Sequence, residues 1–382
     1  MVFWWCVLWA SLLVTVWVYV IYPAGLWIVA SRMRSAVPQL KDLPSISIIL
    51  AVYNEERVLR KKLENCMSLD YPAHKLEIIV TSDGSTDGTE AILREFEPRG
   101  VRIVITGSRV GKTDAQNRAV ALARHEILFF TDATAIHPVD VLRKIVMQFG
   151  DPTVGCVSGK AIFRDDRSMV STGVQMKQKY DRMMRSLQAE VGTLYGATGC
   201  VYAVRRALYM PLRADLVSDF VEPLKLLAAG HRTSYEPAAF GLVERKAPDL
   251  RLEFSRRSRM IHQGFLGIIH MRELLNPRRD IVQAISLLTQ RPLKWLTPLY
   301  ALSALAASVA LADVPAVRGF LLLQVSFYGI ALLAWILERL GMHPPRFFAI
   351  PLYFSIMGFS VVAGLTKLVL GERCETWETL GR

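Results

Sequence analysis

The segment Ile46-Ser47-Ile48-Ile49-Leu50-Ala51-Val52 begins a regular alternation of short β-rich runs and helical patterns, and a helical pattern at 55–68 follows it directly. Three further strand–helix pairs come after it, at 76–81 and 86–96, 101–106 and 112–123, and 127–130 and 138–149. Such alternation is typical of βαβ units in a mostly parallel sheet, where ligands bind at the carboxyl ends of the strands. The sequence therefore predicts an α/β domain over residues 40–250.

The loops after these predicted strands carry candidate binding residues. Asp83 and Asp132 follow neighbouring strands, where one carboxylate can accept a hydrogen bond from a base or ribose and the other can hold a divalent cation against a diphosphate. Lys112 begins a helix and adds a cation beside the helix-terminal N–H groups. Together these residues indicate a nucleotide-sugar site. For either carboxylate alone, helix capping or an ordinary loop position is the alternative interpretation.

Composition and motif length argue against several classes. Of the 382 residues, 52% are hydrophobic, which is too apolar for a disordered chain, and five scattered cysteines without a C-x-x-C pair indicate neither a zinc site nor a disulfide scaffold. The loop 107–113 is one residue shorter than the phosphate-binding pattern G-x-x-x-x-G-K-[ST], which disfavours an NTPase. The net charge of +12 could indicate nucleic acid, anionic lipid or a phosphate-bearing substrate.

Both ends of the chain are apolar. Residues 1–31 contain no charged side chain and are followed by Arg32 and Arg34, which predicts an N-terminal transmembrane anchor with the next domain in the cytoplasm. Three apolar stretches predict about three transmembrane helices within 295–371, before a tail at 372–382. The alternative is that these stretches are core helices of one large soluble domain.

The segment 251–294 lies between the α/β domain and the C-terminal apolar stretches. It holds nine Lys or Arg residues with apolar residues at loosely helical spacing, which predicts amphipathic helices on an anionic membrane surface. A solvated helical linker is the alternative. Because the basic residues follow the membrane boundary and no groove-reading motif accompanies them, we expect no nucleic-acid partner.

Six short motifs in order give the chain a resemblance to the membrane-integrated family 2 glycosyltransferases, the group of the cellulose, hyaluronan and poly-N-acetylglucosamine synthases and of bacterial exopolysaccharide enzymes. The motifs are Ala51-Val52-Tyr53-Asn54-Glu55, Ser82-Asp83-Gly84-Ser85-Thr86-Asp87, Phe130-Thr131-Asp132-Ala133-Thr134, Gly196-Ala197-Thr198-Gly199, Ser218-Asp219-Phe220 and Arg256-Arg257-Ser258-Arg259-Met260. The resemblance implies a GT-A-like fold for the catalytic domain and a location of the protein in the inner membrane. It also implies inverting transfer of a sugar from a nucleotide sugar, UDP-linked, with Mg²⁺ or Mn²⁺ as cofactor.

The same resemblance implies a role for each candidate residue. Asp219 would be the catalytic base, and Asp132 would hold the metal–diphosphate group. The acceptor side would be lined by Gly196, Ala197, Thr198 and Gly199. The expected donor-binding residues, including the arginines that would clamp the diphosphate, are Tyr53, Glu55, Asp83, Lys112, Asp132, Arg256 and Arg259.

Three positions depart from the family pattern. Thr134 replaces the second acid of the metal motif, Ser218 precedes the expected base, and Met260 replaces a tryptophan of the polymerising relatives. Two alternatives to a polysaccharide synthase therefore stay open: an enzyme that adds one sugar to a glycolipid, and a non-catalytic membrane scaffold that binds nucleotide. The expected partners are a nucleotide-sugar donor, a glycan or lipid-linked acceptor, membrane lipids and polysaccharide-export subunits.

Overall fold

A computed structural model describes residues 1–33, 40–164, 169–244, 250–340, 342 and 345–372. Arg34 and the tail after residue 372, which the predictions above include, lie outside the described residues. Within the described part, one eight-stranded sheet has the order β3-β2-β1-β4-β7-β6-β8-β5. Its strands are β1 (Ile46–Val52), β2 (Leu76–Ser82), β3 (Val101–Ile105), β4 (Ile127–Thr131), β5 (Ala135–Ile136), β6 (Val154–Arg164), β7 (Val201–Arg205) and β8 (Arg232–Glu244).

The first four strands are parallel, as the alternation predicts. β1 pairs with β2 and β4 so that Val52 lies opposite Ser82 and Leu50 opposite Thr131. This register brings the loops after β1, β2 and β4 to one edge of the sheet. In the second half, β7 runs antiparallel to both β4 and β6, while β6 and β8 are parallel. The sheet is therefore mixed and mostly parallel.

The described helices surround this sheet and extend from it at both ends of the chain. They are α1 (Val2–Val16), α2 (Tyr22–Ala30), α3 (Glu56–Met67), α4 (Thr89–Phe96), α5 (Lys112–Leu122), α6 (Val141–Met147), α7 (Met169–Val191), α8 (Ser218–Ala228), α9 (Leu250–His270), α10 (Ile281–Leu288), α11 (Thr297–Ala310), α12 (Pro315–Arg339) and α13 (Ala349–Val369). Two π-helical turns, Trp17–Ile21 and Thr289–Leu293, continue α1 into α2 and extend α10.

Every residue of β1 is buried, because helices cover both faces of the sheet. Ile48 and Leu50 pack in a core with side chains of α3, α4 and α6, whereas Ile49 packs on the other face with Ala119 of α5. Two-sided burial explains why this strand reads as a nearly continuous apolar run. It also fixes α3 and α5 on opposite faces, next to the loops that they follow.

Among the described residues, three helical segments are long and apolar enough to cross a membrane: Val2–Ala30, Pro315–Arg339 and Ala349–Val369. The sequence predicts a further span at the start of 295–371. There the structure has a pair of helical segments, Ile281–Leu293 and Thr297–Ala310, bent by 68°. Pro292 and Pro298 flank the bend, and proline interrupts helical hydrogen bonding. The predicted boundary at residue 294 therefore falls inside this bent pair.

Helix α9, predicted as a membrane-surface helix, packs along α13. A Cβ atom on Gly364 would lie 2.8 Å from the backbone oxygen of Ser258, so the two helices approach closely only because residue 364 is glycine. Ile261 of α9 is correspondingly buried. One face of α9 is thus covered by the last apolar helix of the described chain.

Candidate active site

The loops after β1 and β2 are joined by side-chain hydrogen bonds. Asn54 adopts a left-handed conformation (φ 51°), which asparagine tolerates better than most residues. Its side-chain oxygen accepts a hydrogen bond from the Thr86 backbone N–H at 2.8 Å. The buried Glu55 follows, and its backbone N–H donates to the Thr89 hydroxyl at 2.8 Å. The motif around Tyr53 therefore forms one rigid wall of the site.

Asp83 connects this wall to the loop before α5. Its buried carboxylate accepts hydrogen bonds from the backbone N–H groups of Val110 (2.7 Å) and Gly111 (3.1 Å). The loop passes so close to Gly84 (φ 65°) that a Cβ there would lie 2.8 Å from the Ser108 backbone. Asp83 thus holds the loop that leads to Lys112, a role that its position after a strand did not reveal.

The same loop places Arg109 over Tyr53. The guanidinium carbon lies 4.0 Å from the centroid of the tyrosine ring, in cation–π geometry. The Arg109 guanidinium therefore covers one face of the Tyr53 ring.

Lys112 and Asp132 meet at the carboxyl edge of the sheet. The lysine Nζ lies 2.5 Å from Asp132 Oδ1, and both side chains are about one-third exposed (33% and 35%). Burial by itself lowers the pKa of Lys112, but the carboxylates of Asp132 and Asp219 outweigh it and the pKa is raised overall. Lys112 is therefore a stable cation at this edge.

Asp219 is the second residue of α8 and lies within electrostatic range of both residues. Burial raises the pKa of this carboxyl above its ordinary value; Lys112 opposes the shift and Asp132 adds to it. The approach depends on the docking of α5, because Thr113 donates to the Leu216 carbonyl (2.6 Å) and Ser218 donates to Gln116 (2.7 Å). Ser218, one of the three departures from the family pattern, is thus part of this docking.

The glycine-containing segment 196–199 lies against Asp219. The Ala197 N–H donates to the Asp219 carbonyl at 2.6 Å, and a Cβ on Gly199 would lie 2.5 Å from Asp219 Oδ2. Thr198 anchors the segment to β6 through its N–H, which donates to Ser158 Oγ at 2.9 Å. The structure therefore brings the predicted acceptor segment and the predicted base together.

The arginines of the predicted clamp lie on α9. Arg256 is on α9 and has its described ion pair with Glu253 of the same helix (3.8 Å). Arg259 lies one turn further along this helix, which packs on α13. The charged groups that shift the pKa of Asp219 are Lys112, Asp132, Arg185 and Arg291.

Arg185 and Arg291 were missed by the sequence reasoning. Arg185 Nη1 donates to the Gly196 carbonyl at 3.3 Å, and Arg291 donates to the Tyr195 carbonyl while its guanidinium lies 4.7 Å from the Phe220 ring centroid. Trp295 completes the group, with its ring centroid 6.2 Å from that of Phe220.

A signal for two of these residues was present. The run Arg291-Pro292-Leu293-Lys294-Trp295 repeats the basic-x-x-basic spacing of 256–259. It ends in tryptophan, the residue of the family pattern that Met260 replaces in the first run. For Arg185, in the middle of a long helix, the sequence contains no comparable signal.

A divalent cation fits this site only together with a diphosphate. Among the described residues, no group of three or more His, Cys, Asp or Glu side chains could hold a metal by itself. Asp132 offers one partly exposed carboxylate, and Mg²⁺ is commonly held by one or two carboxylates plus substrate phosphates. The donor set therefore fits a metal that is shared with the substrate.

The α/β domain has relatives among known proteins. Residues 47–209 match the profile of "Glycosyl transferase family 2". A segment of 161 residues is 30% identical to the beta-monoglucosyldiacylglycerol synthase of Synechocystis sp., covering 40% of this chain and 34% of the relative. A segment of 208 residues is 28% identical to the poly-beta-1,6-N-acetyl-D-glucosamine synthase of Staphylococcus aureus, covering 52% and 49% of the two chains. The match thus spans between a third and a half of these relatives.

The fold also has a solved counterpart. The mannosyltransferase PcManGT from Pyrobaculum calidifontis, in complex with GDP-Man and Mn²⁺, superposes with a TM-score of 0.72 over 96% of this chain and 99% of its own, at 22% identity. At that identity the likeness shows the fold, and the predicted GT-A-like architecture is confirmed. Residues 47–209 are therefore a glycosyltransferase family 2 domain.

Proposed function

We propose that this chain is an inverting membrane glycosyltransferase that moves a sugar from a nucleotide-sugar donor to a polysaccharide or lipid-linked acceptor. One observation carries the proposal: Lys112, Asp132 and Asp219 converge at the carboxyl edge of the parallel strands, next to the 196–199 segment. That arrangement provides one cation, one carboxylate for a metal and one base.

In the proposed reaction, Asp219 accepts the proton of the acceptor hydroxyl as its oxygen attacks C1 of the donor sugar. The bond between C1 and the phosphate oxygen breaks, and the nucleoside diphosphate leaves with the bonding electrons. Burial raises the pKa of Asp219, which strengthens it as a base. Because Asp132 is assigned to the metal, Asp219 is the one base proposed for the acceptor, and a single displacement inverts the configuration at C1.

The leaving diphosphate acquires negative charge, and cations nearby stabilise it. Lys112 supplies one such cation. Mg²⁺ or Mn²⁺ bound with Asp132 would neutralise further charge. Of the arginines, Arg291 and Arg185 are better placed for the diphosphate or the acceptor than Arg256, because both contribute to the field at Asp219.

We assign the base and ribose to the region around Tyr53 and Arg109, beside the buried Asp83 and bordered by Glu55. The expected donor is a UDP-sugar. Since the structural counterpart is in complex with GDP-Man, both uridine and guanosine donors belong in the test.

Membrane attachment is supported by the apolar surface of α12. Leu322 and Leu323 are 63% and 67% exposed, and apolar surface of this extent is unfavourable in water. With Arg32 after the first apolar helix, we place the glycosyltransferase domain on the cytoplasmic side of the inner membrane. Residues 1–31 and most of 295–371 would then be membrane segments, and α9 would lie at the membrane surface.

A lipid-linked acceptor is favoured over a soluble glycan by one feature. The bent apolar pair that contains Arg291 leads directly to the group around Asp219, so a lipid could present its head group there. Two of the relatives, by their names, make a glycolipid and a polysaccharide.

The test uses the purified full chain in lipid nanodiscs with UDP-glucose, UDP-N-acetylglucosamine or GDP-mannose, and Mg²⁺ or Mn²⁺. Nucleotide release and product size are measured, with Asp219→Asn as the matched control of strongly reduced activity. A product ladder indicates a polymerase, and one added sugar on lipid indicates single transfer. No turnover with any donor, together with retained nucleotide binding, would contradict the proposal in favour of a scaffold.

A further inference from the structure

The side chain of Lys62, on α3, is completely buried in the catalytic domain (0% exposed). A buried amine must find acceptors, because leaving water without new hydrogen bonds is costly. Lys62 Nζ donates to Thr131 Oγ1 at 2.8 Å and to the Ala135 carbonyl at 2.6 Å. Both acceptors belong to one short stretch of chain, the turn between β4 and β5.

The neighbouring His137 fixes the direction of these hydrogen bonds. Its Nδ1 lies 3.1 Å from the Phe240 carbonyl, which can only accept, so Nδ1 carries the proton. Nε2 then accepts from the Thr131 hydroxyl at 2.7 Å, and the lone pairs of that hydroxyl are left for Lys62. Burial lowers the pKa of His137 well below its ordinary value, which keeps the ring neutral. A neutral ring is what this series of hydrogen bonds requires.

The turn held in this way carries Asp132. Thr131 and Ala135 are the residues at its two ends, so the Lys62 amine bridges the turn from below while Asp132 extends toward solvent. Burial lowers the pKa of Lys62, with Asp132, Cys66 and Cys200 acting in the opposite sense. A neutral amine would still have two N–H donors, so the bridge does not depend on the protonation state.

We propose that Lys62 is a positioning residue that holds the Asp132 turn in the arrangement needed to share a divalent cation with the donor diphosphate. The inference rests on the proposed function for the identity of the ligand, but not for the bridge itself. If the amine served stability alone, an apolar side chain would do so at lower cost, because a buried polar group must first lose its water.

The first experiment measures the bridge without any ligand. Hydrogen–deuterium exchange of the 131–137 segment is compared between the wild type and Lys62→Met, which is similar in length and cannot donate. We expect exchange about tenfold faster in the variant, because local opening of the turn loses two of its hydrogen bonds. Lys61→Met, which removes the same charge from an exposed position of α3, is the control. Unchanged exchange in Lys62→Met would overturn the proposal.

The second experiment measures the consequence for the metal. Binding of UDP and of GDP is titrated with Mn²⁺ by calorimetry, and the half-saturating Mn²⁺ concentration is compared. For Lys62→Met we expect an increase of about 10–100-fold, the usual range for residues that orient a metal ligand. Lys62→Gln, which keeps two N–H donors on a shorter side chain, should recover part of the loss.

Leu63→Ala is the control that distinguishes a loss of stability from a loss of positioning by Lys62. It removes a buried side chain from the next position of the same helix. This variant should lower the unfolding temperature without changing the Mn²⁺ requirement. Equal Mn²⁺ dependence in Lys62→Met and the wild type would overturn the inference about Lys62 and leave the proposed function unaffected. Absence of Mn²⁺-dependent binding in the wild type would contradict the proposed function, and the exchange measurement would still decide whether Lys62 holds the turn.

Discussion

Replacement of Asp219 by Asn tests the proposed chemistry most directly, because it removes the base and preserves the shape of the side chain. The backbone hydrogen bond from Ala197 to residue 219 is independent of the side chain. The amide also fits where Gly199 leaves space for the carboxylate. Loss of general-base catalysis should lower kcat by about 10²–10⁴-fold, or about 2.7–5.4 kcal/mol in activation free energy.

The pH dependence gives a second readout. Burial raises the pKa of Asp219 above the ordinary value of 3.8, so wild-type transfer should fall as the pH drops through this raised pKa and the carboxylate is protonated. The residual activity of Asp219→Asn should lack this acidic limb. The desolvated carboxylate costs stability above its raised pKa, and the neutral amide does not, so the variant should unfold at no lower temperature at neutral pH.

The assay measures nucleotide release at saturating donor together with donor affinity by calorimetry. Donor affinity should be largely retained, because Asp219 acts on the acceptor. Asp70→Asn, which removes an exposed carboxylate paired with Arg143 far from the cluster, is the matched control. Wild-type kcat in Asp219→Asn, or an unchanged pH profile, would refute the assignment of the base.

Three other substitutions test the rest of the site. Asp132→Asn should abolish the stimulation of donor binding by Mn²⁺, measured by calorimetry; retained metal dependence would remove Asp132 from the site. Arg291→Met should lower kcat/KM by about tenfold or more, as expected for a lost contact to a charged group, and by more than Arg256→Met does; the opposite order in a kinetic comparison would restore the α9 arginine as the clamp. Gly199→Ala should greatly slow transfer while circular dichroism stays unchanged, because the new Cβ would lie 2.5 Å from Asp219 Oδ2; full activity would show that this contact is unimportant.

The strand–helix pairs of the first half could be predicted because their signal is local. β1 was predicted at its observed bounds, and the observed β2 and β4 each extend one residue beyond the predicted end. The prediction succeeds because a strand that is buried on both faces reads as an apolar run. The strands β6, β7 and β8 of the second half were not predicted, because pairing between distant segments leaves no local periodicity. Prolines at 292 and 298 were visible, but the 68° bend that they flank was not.

The residues of the candidate site also fall into those that local sequence predicts and those that depend on contacts between distant segments. The sequence by itself determined which residues follow the strands, and parallel register then requires that Tyr53, Asp83 and Asp132 share one edge. Only the tertiary structure decided that Asp219 joins them, through the hydrogen bond of Thr113 to Leu216, 103 positions away.

Tertiary packing also decided which basic residues surround Asp219. Arg256 and Arg259 have the expected spacing and lie on α9, which packs on α13. The bent pair brings Arg291 to the carbonyl of Tyr195, 96 positions away. The spacing of residues within a helix determines which of them lie on the same face of that helix. Which face meets the active site depends on how helices pack, and that is decided by contacts between segments far apart in the chain.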